Sequence, residues 1–260
     1  LDSQWSFVNP AGDGSVETVI PGTGEAYLEL SVPGGSSHDL WGNNTRAARV
    51  MQPAANSDFE LEVKFASQPS QGFQLQGILV QQDANDWIRF DTYHDGSSLK
   101  VFAATTTNGS SQVQISRDVA PGSASYLRVK RQGNVWSLQY SSNGSTWTTA
   151  GSFTQALNVA EVGTFAGNAG GSPAFKSQVD YFFNTAAPIV PEDSTVPLPN
   201  QAPTANNDTA TVAPASSVSI NVLSNDSDSD GTLVPGSVTI VGQPSNGNVV
   251  VNSNGSITYS

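Results

Sequence analysis

The chain contains 260 residues, of which 22 are acidic and ten are basic, and its formal net charge is −12. This charge repels phosphate backbones and anionic lipids, so we expect neither nucleic-acid binding nor membrane insertion. The absence of cysteine excludes disulfides, cysteine-ligated zinc and thiol catalysis. The length suggests one large or two ordinary domains.

The segment Ser37–Arg46 has the composition of a loop, yet it gathers side chains that suit a ligand. A tryptophan beside amides and an arginine can form a sugar platform, and loops carry function more often than cores do. The alternative interpretation is that the tryptophan plugs one end of the fold. The candidate sugar-binding residues of this segment are Trp41, Asn44 and Arg46.

The run Phe59–Phe65 alternates apolar and charged side chains without interruption. This period of two predicts a half-buried strand with its four apolar side chains facing inward. Glu60 and Glu62 share the other face and have no aromatic residue between them. We therefore interpret them as a solvated face and not as the paired carboxylates of a glycosidase.

The run Trp87–Tyr93 predicts a second strand whose two faces differ. If Ile88 and Phe90 face the core, the other face presents two aromatic rings, a cation and an anion. Sugars need this mixture, because their C–H faces pack on rings while their hydroxyls need donors and acceptors. The alternative is an internal ion pair covered by the aromatic side chains. The candidate sugar-binding residues of this strand are Trp87, Arg89, Asp91 and Tyr93.

Two further alternating runs lie between residues 126 and 140, and turn signals follow each of them. Gln132-Gly133-Asn134 and Asn143-Gly144 contain residues that accept the positive φ of tight hairpin turns. No segment has sustained helical periodicity. Residues 1–183 are therefore predicted to form an all-β, antiparallel β-sandwich of jelly-roll size.

The succession HDLWGNN, DFELEVKF, QGILVQQDANDWIRFD, YLRVKRQGNVW and YSSNGSTW carries a family resemblance. It is similar to bacterial concanavalin A-like, laminin G-like lectin domains, including those appended to family 43 glycoside hydrolases. The resemblance implies a jelly roll whose concave sheet often binds a sugar, in secreted polysaccharide-degrading or adhesive proteins.

Residues 184–204 are rich in proline and lack periodicity, which is typical of a semi-rigid linker. All ten basic side chains of the chain precede this segment. The difference in charge indicates that the parts before and after the linker are separate domains.

The run Asn225–Gly231 reads NDSDSDG, so carboxylates alternate before a glycine. Residues two apart on an extended backbone project the same way, so Asp226, Asp228 and Asp230 can converge their oxygens on Ca²⁺. The alternative is a solvated polar turn.

The last sixty residues resemble the tandem cadherin-like or immunoglobulin-like repeats of bacterial surface proteins. Pro203, the Asn207-Asp208 pair, Gly247 and the closing GSITY stand where that pattern has them. The resemblance implies that Asn206, Asn207 and Asp208 join the calcium ligands. Because the pattern normally continues beyond this point, we expect residues 205–260 to form a partial sandwich whose open edge can self-associate.

No GxSxG elbow, HExxH helix or phosphate-cradling loop occurs in the sequence. We therefore expect a non-catalytic, lectin-like module that binds a polysaccharide or cell-surface glycan, followed by a calcium-binding spacer. The chain begins at Leu1 without a signal-peptide core, which suggests a part of a longer, secreted or surface-exposed bacterial protein. The alternatives are a structural adhesin segment without a glycan ligand and a part of a polysaccharide hydrolase or lyase.

Overall fold

The computed structural model describes residues 4–21, 26–170, 173–187, 202–228 and 232–260. The chain divides into two compact units, Leu1–Ser194 and Thr195–Ser260. The elements of the described residues are strands and one 3₁₀ turn at Pro235–Ser237, so the all-β prediction is confirmed. No helix in these ranges is long and apolar enough to cross a membrane. Most of the predicted linker lies outside the described residues, and its bounds stay a prediction.

The first unit is a sandwich of two antiparallel, seven-stranded sheets. The strands of the first sheet, in spatial order, are β1 (Ser6–Val8), β6 (Ala48–Pro53), β15 (Glu161–Asn168), β8 (Gln74–Gln81), β9 (Trp87–His94), β10 (Leu99–Thr107) and β11 (Ser110–Val119). The strands of the second sheet are β14 (Thr148–Thr154), β13 (Val135–Ser141), β12 (Tyr126–Gln132), β7 (Phe59–Phe65), β16 (Phe175–Asn184), β3 (Tyr27–Val32) and β2 (Ser15–Val19). A separate hairpin consists of β4 (Leu40–Trp41) and β5 (Asn44–Thr45).

The main core lies between the two sheets and is built by the alternation that the sequence shows. Leu61, Val63 and Phe65 of β7 are buried, as predicted, and they join apolar side chains of β8 and β9 in one cluster. Trp136 of β13 is fully buried, and its Nε1 donates to the Gln155 carbonyl at 2.8 Å. Each large apolar side chain buried in this way contributes about 1.5–3 kcal/mol.

The two predicted hairpin turns are confirmed. β12 and β13 are joined at Gly133, where φ is +58°, and β13 and β14 are joined through Gly144, where φ is +68°. Glycine adopts such angles without the steric strain that a side chain would add.

The second unit contains a small antiparallel sheet of three strands, each three residues long. In spatial order these are β17 (Val218–Ile220), β19 (Ile257–Tyr259) and β18 (Val249–Val251). Among the described residues of this unit only Gly255 and Ser256 are buried. This sheet is consistent with the partial immunoglobulin-like domain that the sequence predicts, whereas its self-association stays a prediction.

Candidate functional site

The β4–β5 hairpin lies on the outer face of the first sheet, which is the face directed away from the main core. We call this outer face, together with the hairpin, the hairpin face. Leu40 of β4 is 2 % exposed, and Ala47, just after β5, is fully buried. Together they close a second, smaller core on the side of the sheet that faces away from the main core. The other buried members of this cluster are Met51, Leu75, Leu79, Trp87 and Phe165.

The polar members of β9 lie beneath this hairpin and form an internal ion cluster. The Arg89 Nε donates to Asp91 Oδ2 at 2.5 Å, and its Nη1 donates to Asp39 Oδ1 at 2.9 Å and to the Leu40 carbonyl at 3.1 Å. Arg89 and Asp91 are 5 % and 0 % exposed, and Trp87 is 2 % exposed. The expectation that these three side chains form an open sugar-binding face is thereby corrected. The structure agrees with the alternative of an internal ion pair.

Burial and the neighbouring charges act in opposite directions on the pKa of Arg89 and of Asp91. Burial lowers the pKa of Arg89, but the charges of Asp91 and Asp39 more than offset this effect, so the pKa is raised. Burial raises the pKa of Asp91, and the nearby guanidinium opposes this only in part. Asp91 Oδ1 has no hydrogen-bond partner, which agrees with a carboxylate that is costly to ionise. The rings of Phe102 and Phe165 lie 5.2 and 5.8 Å from the guanidinium carbon.

Further hydrogen bonds hold both ends of the hairpin. Arg49 Nη1 donates to the Thr45 and Ala47 carbonyls at 3.0 and 3.1 Å. The Gly42 N–H donates to Ser111 Oγ of β11 at 2.7 Å. His38, fully buried, exchanges backbone hydrogen bonds with Asn168, at 2.9 and 3.1 Å. These contacts fix the hairpin on the sheet before any ligand arrives.

The tip of this fixed hairpin carries the exposed part of the candidate site. Trp41 is 40 % exposed, and its ring centroid lies 6.4 Å from that of Phe102. Tyr93 is half-buried and meets Phe102 edge-on at 5.1 Å. Asn44 donates to Ser37 Oγ at 3.0 Å, and Arg46 is exposed. The structure therefore brings Trp41 and Tyr93 to one aromatic cluster, with Asn44 and Arg46 on the hairpin.

A polar row beside Tyr93 was not identified from the sequence. Lys100 lies in register with Tyr93 on one side and with Asp118 on the other, so all three share the hairpin face. Lys100 Nζ contacts Asp118 Oδ1 at 2.5 Å and Asp95 Oδ2 at 3.1 Å. The hydrogen bonds that Lys100 donates to Asp118 and Asp95 raise its pKa to about 12. The row offers donors and acceptors next to the aromatic cluster.

The predicted calcium region is described in part. The Asn206 N–H donates to Asp226 Oδ1 at 2.7 Å, and its side chain donates to the Asn225 carbonyl at 2.6 Å. Asn225 in turn donates to the Asn207 carbonyl at 3.4 Å, so the segments around Asn206 and Asn225 lie against each other. Asp230 lies outside the described residues. Within the described ranges, no three His, Cys, Asp or Glu side chains are placed to hold a metal. Calcium binding by Asn207, Asp208, Asp226, Asp228 and Asp230 stays a prediction.

Two family models match this chain. One, described as a protein of unknown function (DUF1349), matches residues 27–183, and the other, described as a bacterial Ig domain, matches residues 200–260. No curated protein sequence matches the chain.

Three solved structures illustrate the likeness in fold. The GH43 protein BlXynB from Bacillus licheniformis is 20 % identical with a TM-score of 0.57, over 72 % of this chain and 37 % of its own. A functionally unknown protein from Saccharomyces cerevisiae is 20 % identical with a TM-score of 0.55, over 72 % of this chain and 98 % of its own. A legume lectin-like domain from Entamoeba histolytica is 11 % identical with a TM-score of 0.50, over 69 % of this chain and 89 % of its own.

These likenesses agree with a concanavalin-like sandwich followed by an immunoglobulin-like unit. This chain spans little more than a third of the Bacillus protein, so that protein's activity is not transferred to it. The DUF1349 model covers more than half of the chain. The chain therefore belongs to the DUF1349 family of concanavalin-like proteins.

Proposed function

We propose that the first unit is a non-catalytic carbohydrate-binding module, and that a polysaccharide or cell-surface glycan binds on its hairpin face. The observation that carries the proposal is the exposed indole of Trp41 at the tip of a hairpin that hydrogen bonds from Arg49 and to Ser111 hold on the sheet. An aromatic residue whose backbone is already held loses less conformational entropy when a sugar stacks on its ring.

The surroundings of Trp41 suit a saccharide better than a purely apolar ligand. Tyr93 adds a second ring, and the Lys100–Asp118 row adds a donor and an acceptor. Asn44 and Arg46 lie on the same hairpin and can orient hydroxyl groups. The apolar C–H face of a sugar packs on rings while its hydroxyls need such polar groups. The buried Trp87, Arg89 and Asp91 would then support the site from below.

The fold relatives support a carbohydrate ligand by analogy only, because fold alone does not determine function. One is a lectin-like domain, and another is part of a GH43 protein. We further propose that the module belongs to an extracellular, multidomain protein, in which neighbouring modules would raise the effective concentration of a weak binder.

Binding to soluble polysaccharides tests the proposal. The full chain is run on affinity gels containing xylan, xyloglucan, arabinan or galactan and applied to a glycan array. We expect retention by at least one glycan, and Trp41→Ala should weaken it about tenfold or more. Trp41→Phe should restore part of the binding because it keeps a ring.

Val135→Ala serves as the control, because Val135 is 47 % exposed but lies on the second sheet. Its binding should equal that of the original chain. Absence of retention on every glycan would favour the alternative of a structural adhesin segment.

We also propose that the second unit binds Ca²⁺ through oxygens near Asn207 and Asp226. The hydrogen bonds between these two segments support the proposal. Carboxylate and carbonyl oxygens are the ligands that Ca²⁺ prefers. Calorimetric titration with Ca²⁺ should give saturable binding that Asp226→Asn weakens and Asp118→Asn, in the first unit, leaves unchanged. Equal heats for the chain and for Asp226→Asn would contradict the proposal.

A further inference from the structure

The outer face of the second sheet carries four aromatic side chains that point away from the main core. The register places Tyr126 of β12, Lys64 of β7 and Tyr181 of β16 in one row. Phe183 lies one row further along β16, and Trp147 lies just before β14. We call Trp147, Tyr126, Tyr181 and Phe183 the aromatic strip.

The four rings follow one another without a gap. The centroids of Trp147 and Tyr126 are 6.4 Å apart, those of Tyr126 and Tyr181 are 6.3 Å apart, and those of Tyr181 and Phe183 are 4.9 Å apart. All four residues are only half-buried. These spacings are comparable with the length of one pyranose unit, and the successive rings are turned by 83°, 58° and 28°, so a linear saccharide would meet ring edges and ring faces in turn.

The turn after β13 fixes Trp147 at one end of the strip. The Trp147 Nε1 donates to the Gly144 carbonyl at 3.1 Å. A Cβ at Gly144 would lie 2.9 Å from Tyr126 Cε1, so glycine lets this turn pack closely on the tyrosine ring. The Arg128 guanidinium carbon lies 3.9 Å from the centroid of the Trp147 ring. A cation–π contact at this distance holds the indole in one orientation.

Polar groups lie between and beside the rings. The buried Glu62 accepts from Arg128 Nη2 at 2.5 Å and from the Tyr181 hydroxyl at 2.8 Å, so it positions these two side chains. Glu60 lies 3.7 Å from Arg128 Nε, and Lys130 is exposed on the neighbouring strand. Hydrogen-bonding groups set among rings suit a hydroxylated chain better than a continuous apolar partner.

We infer that the aromatic strip is a second carbohydrate-binding surface, which takes a linear polysaccharide along its length. The ligand class rests on the proposed function, whereas the location does not. The rings add nothing to the main core, because they lie on the opposite side of the sheet from Leu61, Val63 and Phe182. A module with ligand surfaces on both outer faces can hold two polysaccharide chains at once.

Titration calorimetry of the full chain with soluble xylan and xyloglucan tests the inference. The strip variants are Trp147→Ala and Tyr181→Ala, and the hairpin-face variant is Trp41→Ala. We expect each strip variant to lose about tenfold in affinity at one class of sites. Trp41→Ala should leave that class unchanged, and combining Trp41→Ala with Trp147→Ala should abolish retention. If Trp147→Ala lowers the midpoint of thermal unfolding, Tyr181→Ala on β16 provides an independent test of the strip.

The two proposals fail in different ways. If Trp41→Ala abolishes binding and both strip variants bind like the original chain, the strip inference is overturned and the hairpin site stands. If the strip variants abolish binding and Trp41→Ala does not, the hairpin site is overturned. The strip inference is also overturned if the original chain binds neither xylan nor xyloglucan. It is overturned as well if the chain self-associates and Trp147→Ala removes this association.

Discussion

The two outer faces of the sandwich contain the same residue types, but these residues have different roles on each face. On each face an arginine is held by a carboxylate and lies against aromatic rings. Arg89 contacts Asp91 and Asp39 near Phe102 and Phe165, and its side chain is 6 % exposed. Arg128 contacts Glu62 near Trp147, and its side chain is 24 % exposed. The difference is that the β4–β5 hairpin covers Arg89, whereas among the described residues no hairpin covers Arg128.

This difference separates a structural role from a binding role. Under the hairpin, Arg89 donates to a backbone carbonyl of the covering segment, so the ion cluster holds that segment in place. On the second sheet, Arg128 orients an indole that stays partly exposed. Similar alternating strands can therefore produce either a buried brace or an accessible surface.

Removing each arginine gives the largest expected contrast. Arg89→Met should lower the free energy of unfolding by about 3–5 kcal/mol, because it leaves Asp91 buried without its partner. Arg128→Met should lower it less, by about 1–2 kcal/mol, because the Arg128 side chain is 24 % exposed and the buried Glu62 keeps the hydrogen bond from the Tyr181 hydroxyl. Urea unfolding followed by tryptophan fluorescence measures both, since all five tryptophans lie in the first unit. Similar losses for the two variants would show that the faces do not differ in this way.

Two adjacent hairpin residues sharpen the contrast within one face. Leu40 is 2 % exposed and Trp41 is 40 % exposed. Leu40→Ala should lower the free energy of unfolding by about 2–4 kcal/mol through the cavity that it leaves. Trp41→Ala should lower it by about 1 kcal/mol or less while it weakens glycan binding. The same urea titrations provide the measurement, and a larger loss for Trp41→Ala would mean that the indole is mainly a packing residue.

The sequence predicts the sandwich and its hairpins well, because alternation and turn chemistry are local signals. The strand Phe59–Phe65 and the turns at Gly133 and Gly144 lie where they were predicted. In contrast, the segment that covers the outer face of a sheet is determined by contacts between residues that are distant in sequence. Arg89 meets Asp39 across fifty positions, and no period in β9 indicates that partner.

One local sequence pattern indicates that the outer face of the first sheet is covered. Gly77-Ile78-Leu79-Val80 is a continuous apolar run, and β8 is buried on both faces. Such a run indicates a strand with packing on either side. The neighbouring β9 would then be expected to lie under the same cover. The aromatic strip, in contrast, joins residues of β12, β16 and the turn after β13, and only the strand register reveals that they are adjacent.

The smallest expected effect is a pH dependence of the folding stability, which comes from Asp95 at the rim of the hairpin face. Backbone N–H groups of Ser98 and Ser97, and then Lys100, lower the pKa of Asp95 from 3.8 to about 2. Because the folded pKa is depressed, the stability from Asp95 is present above about pH 4 and is lost as the pH falls through about 2.

Asp95→Asn should therefore unfold more easily than the original chain at pH 5, and the difference should shrink between pH 4 and pH 2. Urea midpoints at each pH, again followed by tryptophan fluorescence, measure this difference. Lys100→Met keeps the two backbone hydrogen bonds, which are the larger causes of the shift. It should retain most of the contribution of Asp95 to the acid dependence. If Lys100→Met removed this contribution as completely as Asp95→Asn does, the ion pair with Lys100, and not the backbone hydrogen bonds of the turn, would set the pKa of Asp95.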